Sequence, residues 1–411
     1  MEQRTTPLLS GHSFHRASSL TPRELFLLGN LLGRDGPLCL GGNNSPHVKM
    51  LLRGAAAGCA AAGSRVTVHP FASPVQGGWA LGKNQAEHGL FLECSDIGHI
   101  RIWVLDPWGM PEEEGILLRL EQALRQNTLF KVRDSQIGTL AATPLTPEQW
   151  AEEIVSRAAL PRPSVRRLTV AVDGPCPANS GLILALQAMG CRVEGQWQPG
   201  IPCFSSLRGG FALRATDEQG ALVSPDQLLA LEVLLEMEQG GGTVTLPPEA
   251  TAAAFFVAMG YNGSFEYLSK QKNHPTRGRY AAQPWLWSAP SAAVRICSRM
   301  RTSGQHLSDL LSKVPRFSRH SRDISFPSAP EQAAAFLTDR PFTPLPGGGI
   351  RLKRDGYWLS LLPRATALRI TAESTDLDLA AEVCSYYAHR ALLLKQSMDA
   401  DKNSTPSTQK A

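Results

Sequence analysis

The chain has 411 residues, which is too long for a single compact core and predicts two to four domains. With 43% hydrophobic and 19% charged residues it has the composition of a folded protein, which excludes a disordered chain. A formal net charge of +5 is small for this length, so it does not by itself indicate a nucleic-acid-binding protein.

The eight cysteines lie in apolar segments without a CxxC pair or zinc-ligand spacing, which predicts buried free thiols in a reducing compartment. The N-terminus lacks the apolar segment of a secretory signal, and no stretch is long and apolar enough to span a membrane. We therefore expect a cytoplasmic protein that has no membrane partner.

The first elements follow a strand–helix–strand order. Thr21 and Glu24 stand at the N-cap and the third position of a helix over 21–32, which is the spacing of a capping box. The next predicted elements are a strand at 37–40, a helix at 46–62 and a strand at 66–68. This order predicts a parallel sheet covered by helices.

The same pattern then recurs along the chain. The later predicted elements are strands at 90–93 and 100–105, helices at 112–127 and 147–159, a strand–helix–strand unit ending at 192–194, another that starts at Ser224, antiparallel strands hinged at 354–356, and a helix at 376–395. The predicted fold is therefore three successive α/β domains, with mixed sheets and flanking helices, plus a small C-terminal α+β domain.

The predicted domain boundaries follow the linkers between these units. They are 1–20 for an N-terminal extension, 21–150 for domain I, 160–222 for domain II, 223–335 for domain III, 340–397 for domain IV and 398–411 for a disordered tail. Domains II and III are predicted to be short.

Four segments in this order resemble the α-D-phosphohexomutase superfamily of phosphoglucomutase, phosphomannomutase and phosphoglucosamine mutase. They are LGGNNSPHVKMLLRGAAAGCAAAGSRV, VAVDGPCPANSGLILALQAMGCRVE, TDEQGALVSPDQLLAL and DGYWLSLLPRATALRITAES. The resemblance implies a phosphohexomutase-type fold with four loops around one cleft: a phosphoserine loop, a loop of three aspartates that holds a cation, a sugar-binding loop and a phosphate clamp. Phosphoryl transfer of this kind depends on positioning and electrostatic stabilisation.

The resemblance places the phosphoserine of the family at Ser95. The family's following His, Asn and Pro correspond here to Asp96, Ile97 and Gly98. Ser95 is thus the candidate catalytic residue, although Asp96 would repel a phosphoserine charge of about −2. The alternative is that Ser95 is an ordinary turn residue.

The resemblance places the three metal-binding aspartates at Leu207, Gly209 and Phe211, whose side chains offer no oxygen ligand. Arg208 in the same loop would oppose one, and no acidic residue occurs between Gly195 and Thr216. Because Mg²⁺ takes oxygen ligands, commonly carboxylates, we expect no metal site and no cofactor.

The two remaining loops are also altered. The sugar loop corresponds to a basic stretch, Lys270–Arg279, that contains no acidic residue. In the phosphate clamp, Arg364 and Thr366 are the candidate ligand-binding residues, with Arg208 as a further candidate cation.

A basic cluster follows in domain III. Its members are Arg295, Arg299, Arg301, Lys313, Arg316, Arg319 and Arg322, with His306 and His320. We interpret it as a solvated basic face, and the alternative is a surface for an anionic partner. Trp103, Trp108, Trp285 and Trp287 are interpreted as core or interface residues in preference to a sugar platform.

Three hypotheses follow for function. The leading one is a non-catalytic homologue, with a binding, regulatory or scaffold role, whose partner is a hexose phosphate or a protein. The second is an active hexose-phosphate mutase in which cationic side chains replace the missing charged groups of the site. Mg²⁺ is expected only under this second hypothesis. The third is an anion- or partner-binding module on the basic face, although no motif indicates a nucleic acid.

Overall fold

A computed structural model describes residues 9–10, 13–16, 20–94, 99–112, 114–158, 167–269, 271, 274–326, 330, 332, 334, 337, 341–364 and 366–404. The chain divides into two compact units. The first unit comprises Met1–Leu228 and Ala281–Leu311, and the second comprises Leu229–Tyr280 and Ser312–Ala411.

The helices are numbered in chain order. They are α1 (Pro22–Gly33), α2 (Pro46–Ala61), α3 (Pro74–Asn84), α4 (Glu114–Gln126), α5 (Pro147–Ala158), α6 (Ala178–Ala188), α7 (Pro225–Glu238), α8 (Ala252–Gly260), α9 (Pro275–Ala281), α10 (Ala289–Ser303), α11 (Leu307–Ser312) and α12 (Leu377–Ser404). Short 3-10 turns occur at Asp134–Gln136, Arg208–Gly210 and Pro284–Leu286.

The strands are numbered in the same way. They are β1 (Leu9–Ser10), β2 (Ser13–Arg16), β3 (Leu38–Gly42), β4 (Val66–Pro70), β5 (His88–Cys94), β6 (Ile100–Leu105), β7 (Leu140–Ala142), β8 (Leu168–Val172), β9 (Cys191–Glu194), β10 (Cys203–Leu207), β11 (Ala212–Thr216), β12 (Leu222–Val223), β13 (Thr243–Leu246), β14 (Ser264–Tyr267), β15 (Ser318–Ser325), β16 (Thr343–Leu345), β17 (Gly349–Arg354), β18 (Tyr357–Pro363) and β19 (Ala367–Ser374).

The first sheet of the first unit has the strand order β1-β2-β6-β5-β3-β4-β7. Strands β5, β3, β4 and β7 are parallel, as the strand–helix–strand order predicts, whereas β6 and β2 pair antiparallel. The sheet is therefore mixed. Residues 9–10 and 13–16, predicted as part of an N-terminal extension, form two of its strands.

Helices α1, α2 and α4 pack on one face of this sheet, and α3 packs on the other. The predicted capping box begins α1: the Glu24 amide donates to Thr21 Oγ1 at 3.3 Å, and the Thr21 amide donates to Glu24 Oε2 at 2.9 Å. The predicted second helix is also confirmed. Helix α3 was missed, because its adjacent glycines, Gly77 and Gly78, are poor helix formers.

Glycines bring α1 and α2 into backbone contact. A Cβ atom on Gly58 would lie 1.9 Å from the carbonyl oxygen of Phe26, and one on Gly29 would lie 2.2 Å from that of Ala55. Neither distance is possible for a real side chain, so the two helices can pack this closely only because both positions are glycine.

The second sheet of the first unit has the order β12-β11-β10-β8-β9. After β11 the predicted turn forms, in which Asp217 Oδ1 accepts the amides of Gln219 and Ala221 at 3.0 and 2.8 Å. The predicted helix entry also forms, because the Gln227 amide donates to Ser224 Oγ at 3.1 Å. Helix α10 packs on α5 and α6 in this unit.

The second unit contains two sheets. Strands β13 and β14 form a parallel pair connected through α8, and the other sheet is antiparallel with the order β15-β19-β18-β17-β16. The predicted hinge after Arg354 is the β17–β18 turn, but β15 and β16 were missed. Helix α12 covers this sheet and runs to Ser404, past the predicted end at 395.

All eight cysteines are free thiols, and six of them are buried. Burial raises the pKa of Cys39 and Cys59 to about 12 and that of Cys176 and Cys203 to about 11, so these thiols stay protonated at neutral pH. None of the described helices combines the length and the apolar character needed to cross a membrane.

The close contact of α1 and α2 leads to a stability prediction. Gly58→Ala should lower the free energy of unfolding by about 2 kcal/mol or more, because the new Cβ must push the helices apart. Gly82→Ala in α3 is the matched control, because a Cβ there meets no atom within 4 Å, and this change should stabilise by about 0.5–1 kcal/mol. Urea unfolding measures both, and equal effects would contradict the close-packing explanation.

Candidate functional site

One candidate site lies at the carboxyl ends of β3 and β5 in the first unit. Asn43 directly follows β3, and its side chain binds the last residue of β5. Asn43 Nδ2 donates to the Cys94 carbonyl at 2.7 Å, and the Cys94 amide donates to Asn43 Oδ1 at 3.1 Å. These two bonds hold the backbone immediately before Ser95. The predicted catalytic residue Ser95 and the following Asp96, Ile97 and Gly98 lie outside the described residues.

Glu93 is a half-buried carboxyl group at this strand end. Trp103 Nε1 donates to Glu93 Oε2 at 2.8 Å, and Arg101 stands opposite Glu93 in the neighbouring strand β6. Burial nevertheless raises the pKa of Glu93 above its usual range, against the opposing effects of Trp103 and Arg101. The negative charge of Glu93 also contributes to the raised pKa of Cys176.

The loop from Leu207 to Phe211 joins β10 to β11. Arg208, Gly209 and Gly210 all have positive φ values, of 50°, 67° and 96°. This left-handed conformation is readily adopted by glycine, whereas Arg208 adopts it at some cost. Leu207 and Arg208 are exposed, and the two glycines are buried.

The buried glycines leave no space for side chains. A Cβ atom on Gly209 would lie 2.8 Å from Pro74 Cγ, and one on Gly210 would lie 2.3 Å from Val75 Cγ1 and 2.9 Å from Ala178 Cβ. The loop is therefore packed against apolar atoms of α3 and α6 on its inner side.

Phe211 completes this packing by lying between two tryptophans. Its ring centroid is 5.4 Å from that of Trp103 and 6.3 Å from that of Trp287, with tilted geometry in both pairs. Trp103 belongs to β6 of the first sheet, and Trp287 follows the turn that precedes α10. The interpretation as packing residues is confirmed for Trp103 and Trp287, whereas it was wrong for Trp108, which is 44% exposed.

The carboxylate that follows β8 is engaged with other side chains. Asp173 Oδ1 accepts a hydrogen bond from Ser205 Oγ and lies 3.4 Å from an Arg214 nitrogen. Its carbonyl accepts from Asn179 Nδ2 at 2.7 Å. Asp173 is thus held by its neighbours on the second sheet.

Arg364 and Thr366, which the resemblance assigns to a phosphate clamp, lie at the turn between β18 and β19 in the second unit. The Arg364 amide donates to the Ala367 carbonyl at 2.7 Å, and the exposed Thr366 accepts the Phe326 amide at 3.0 Å through its carbonyl. Hydrogen bonds from Arg369 and, more weakly, the charge of Arg364 hold the pKa of Asp323 below its usual range. Arg364 at this turn and Arg369 in β19 are therefore partly neutralised by the same carboxylate.

In the basic stretch Lys270–Arg279, the described arginines are bound within the unit. Arg279 donates to both oxygens of Glu266, at 2.5 and 2.6 Å, which lowers the pKa of that carboxyl group. Arg277 is buried in α9. Lys270, Lys272 and Asn273 lie outside the described residues.

The interpretation of the basic cluster as one solvated face was wrong. Arg295 is buried with its guanidinium 4.0 Å from the Trp285 ring centroid, and Arg301 donates to the Met189 carbonyl. Both belong to the first unit. Arg319 belongs to the second unit, where it donates to the Glu249 carbonyl at 2.9 Å.

Solved structures share this architecture. A phosphoglucomutase/phosphomannomutase family protein from Burkholderia thailandensis matches with a TM-score of 0.71 and 12% identity, covering 94% of this chain and 97% of that chain. The chain has the α-D-phosphohexomutase fold. A putative phosphomannomutase from Thermus thermophilus matches with a TM-score of 0.62 and 14% identity, covering 96% and 99% of the two chains.

More distant phosphohexomutases match as well. An N-acetylphosphoglucosamine mutase from Aspergillus fumigatus, solved with GlcNAc-6P and magnesium, has a TM-score of 0.54 at 8% identity over 92% of this chain and 94% of that chain. No protein-family model and no curated protein matches the sequence. At these identities the likeness establishes the fold alone.

Within the phosphohexomutase fold, the loop at 207–211 does not fit a magnesium ion. None of its side chains is a carboxylate, and the close contacts of Gly209 and Gly210 exclude one at either position. Among the residues that the structure describes, no three His, Cys, Asp or Glu side chains come together in a way that could hold a metal ion.

Sequence reasoning missed several residues of this region. Asn43, Glu93 and Arg101 were not singled out, because each lies in or beside a strand whose pairing brings it to the site. The position of Glu93, two residues before the predicted catalytic Ser95, was the only available signal. Phe211 was identified as a replaced metal ligand, but its tryptophan neighbours were not predicted.

Removal of the central ring should destabilise the first unit. Phe211→Ala should lower the free energy of unfolding by roughly 2–4 kcal/mol and change the tryptophan fluorescence, because Trp103 and Trp287 both lose a ring contact. Phe71→Ala, in the same unit but 56% exposed, is the control and should have little effect on either measurement. Denaturant unfolding followed by fluorescence tests both, and a neutral Phe211→Ala would show that the stack does not stabilise the loop.

Glu93 should make stability depend on pH. Because its folded-state pKa is raised, its favourable contribution is complete below about pH 4.5 and is lost as the pH rises through the raised value. Glu93→Gln should therefore stabilise the protein at neutral pH and have no such effect in acid.

Glu266→Gln is the control of opposite sign. Arg279 lowers the Glu266 pKa, so the contribution of this carboxylate is present above about pH 4.5 and is lost as the pH falls through the lowered value. The substitution should destabilise at neutral pH. Melting temperatures between pH 4 and 8 measure both variants, and the same sign for both at neutral pH would contradict these assignments.

Proposed function

We propose that this protein is a non-catalytic member of the phosphohexomutase fold, with a binding, regulatory or scaffold role. The observation that carries the proposal is the loop at 207–211, where buried glycines and the Phe211 ring occupy the position that the resemblance assigns to a cation-binding loop. We place it in the cytoplasm, with no cofactor.

The chemical argument concerns charge. A phosphoryl group in transfer carries negative charge on its equatorial oxygens, and enzymes stabilise it with cations fixed in position. At this loop the only cationic side chain is Arg208, which is exposed and therefore hydrated. An exposed, flexible side chain is a weak substitute for a divalent ion held by three carboxylates.

A ligand-binding role has its best support at the turn that carries Arg364 and Thr366. Arg364 is half-buried, and its charge contributes to the lowered pKa of Asp323, so the turn carries a cation that can attract a phosphate group. We propose a hexose phosphate as the ligand, with a protein partner as the alternative. No membrane or nucleic-acid partner is proposed.

The alternative of an active mutase has one observation in its favour. Glu93, whose pKa is raised, and Arg101 lie near the end of the strand that precedes Ser95, and perturbed carboxyl groups at strand ends are frequent in active sites. Against it, Arg279 of the basic stretch is already bound by Glu266. The third alternative, a partner surface on the basic cluster, is weakened by the burial of Arg295.

Activity measurements test the proposal. The purified protein should not convert glucose 1-phosphate, mannose 1-phosphate or glucosamine phosphates in the presence of Mg²⁺ and a hexose bisphosphate. We expect rates at least about a thousandfold below those of an active phosphoglucomutase assayed in parallel, because the charge stabilisation of the transition state is missing. Intact-mass measurement should find no phosphate on Ser95.

Binding is tested separately by thermal shift with the same sugar phosphates. A shift that is independent of Mg²⁺ and reduced by Arg364→Gln is the expected result, because a ligand that binds the folded state raises its apparent stability. The non-catalytic assignment would be rejected by robust turnover that Ser95→Ala abolishes. Ser180→Ala, at an exposed position, is the control and should leave any turnover unchanged.

A further inference from the structure

The first sheet carries a pocket of about 450 Å³, whose lining includes Asn43 of the candidate site. Its wall is α2, where Leu52, Ala56 and Ala60 line it, and its floor is formed by Val68 of β4 and Leu140 of β7. The lining is almost entirely apolar.

The pocket lies where the described helices leave one edge of the sheet uncovered. Helices α1, α2 and α4 form a layer on this face, and α2 is its outermost member on the side of β4 and β7. Beyond α2, Leu140 is 62% exposed and Phe71, just after β4, is 56% exposed. Large apolar side chains exposed together are typical of a binding surface.

Two cationic side chains stand at the rim. Lys49 and Arg53 are exposed, one turn apart on α2, and both line the pocket. Lys49 Nζ lies 5.2 Å from the Phe71 ring centroid. In the described part of the chain no carboxylate pairs with either cation, and the pocket lining contains no acidic residue.

We propose that this pocket binds a small amphipathic anion, with an aromatic or short acyl body in the apolar groove and a carboxylate, sulfonate or phosphate group beside Lys49 and Arg53. The volume lies within the range of about 300–1,000 Å³ that is usual for small-molecule sites, which are mostly apolar with a few placed polar groups. The pocket adjoins the candidate site at Asn43, but it uses none of the residues that the resemblance assigns to the metal loop or the phosphate clamp, so the proposal does not rest on the proposed function.

The dimensions favour a small molecule over a protein. The groove follows α2 from Lys49 to Ala60, a distance of about 16 Å at 1.5 Å per residue. A stable protein partner typically buries about 800 Å² of surface on each side of the interface. A groove of this length, with one exposed apolar side chain on each flank, offers a smaller surface than that. The ligand that fits is one short apolar body with one charged end.

The first test uses 8-anilinonaphthalene-1-sulfonate, an aromatic anion whose fluorescence rises in apolar sites. The folded full-length protein should bind it saturably with one site per chain. Ala57→Trp, at an exposed position of α2 that lines the pocket, should fill the groove and weaken binding at least tenfold.

Met50→Trp is the matched control, because Met50 is 44% exposed on the same helix and does not line the pocket. It should leave the affinity unchanged. Circular dichroism and melting temperatures check that both variants fold. Equal binding by Ala57→Trp and the wild-type protein would overturn the proposal, and so would absence of binding to the wild-type protein.

The second test separates the charged end from the apolar body. Lys49→Gln combined with Arg53→Gln should weaken the sulfonate probe about three- to tenfold at low salt, since exposed ion pairs contribute modestly. Binding of the uncharged N-phenyl-1-naphthylamine should not change. Equal losses for both probes would overturn the role of the cations. A third outcome is that the wild-type protein binds no probe but forms a dimer in sedimentation experiments, and that Ala57→Trp abolishes this dimer. That result would overturn the small-ligand proposal and identify the occupant of the groove as a second copy of the chain.

Discussion

The contact of Phe211 with Trp103 and Trp287 is the constraint on which the first unit depends. It joins three segments that are distant in sequence: strand β6, the β10–β11 loop and the turn before α10. The ring can reach this position only because Gly209 and Gly210 adopt left-handed conformations against α3 and α6. A loop packed in this way cannot also present carboxylates to a cation, so stability and metal binding exclude one another here.

This exclusion explains how the fold persists without the charged loops that the resemblance calls for. A cluster of carboxylates costs stability unless a cation neutralises it, and natural proteins accept such costs for function. In this chain the corresponding positions are apolar or glycine, and Arg279 is neutralised by Glu266. Glu93 is the exception to this loss of charged groups. It remains half-buried at the strand end, where burial makes its ionisation less favourable and raises its pKa.

Local signals predicted the features that depend on neighbouring residues. The capping box of Thr21 and the turn at Asp217 could be read from spacing, because their hydrogen bonds join residues two to four positions apart. Strands β1 and β2 were missed because pairing with a distant strand forms them, and helix α3 was missed because Gly77 and Gly78, poor helix formers, are held there by packing on Phe91 and Gly109. In the site, the absence of carboxylates was visible in the sequence, but the Phe211 stack required knowing which distant tryptophans meet it. The prediction of a solvated basic face was wrong for the same reason, since no feature of the neighbouring sequence indicates that Arg295 is buried.

The position of α10 determines the order in which the chain can fold. The first unit is discontinuous, because Ala281–Leu311 returns to it after a segment of the second unit has been made. A ribosome therefore releases the start of the second unit before the first unit has the helix that covers α5 and α6. Folding of the two units is interleaved in time, and a fragment that stops at Leu228 would expose an apolar surface that the intact chain buries.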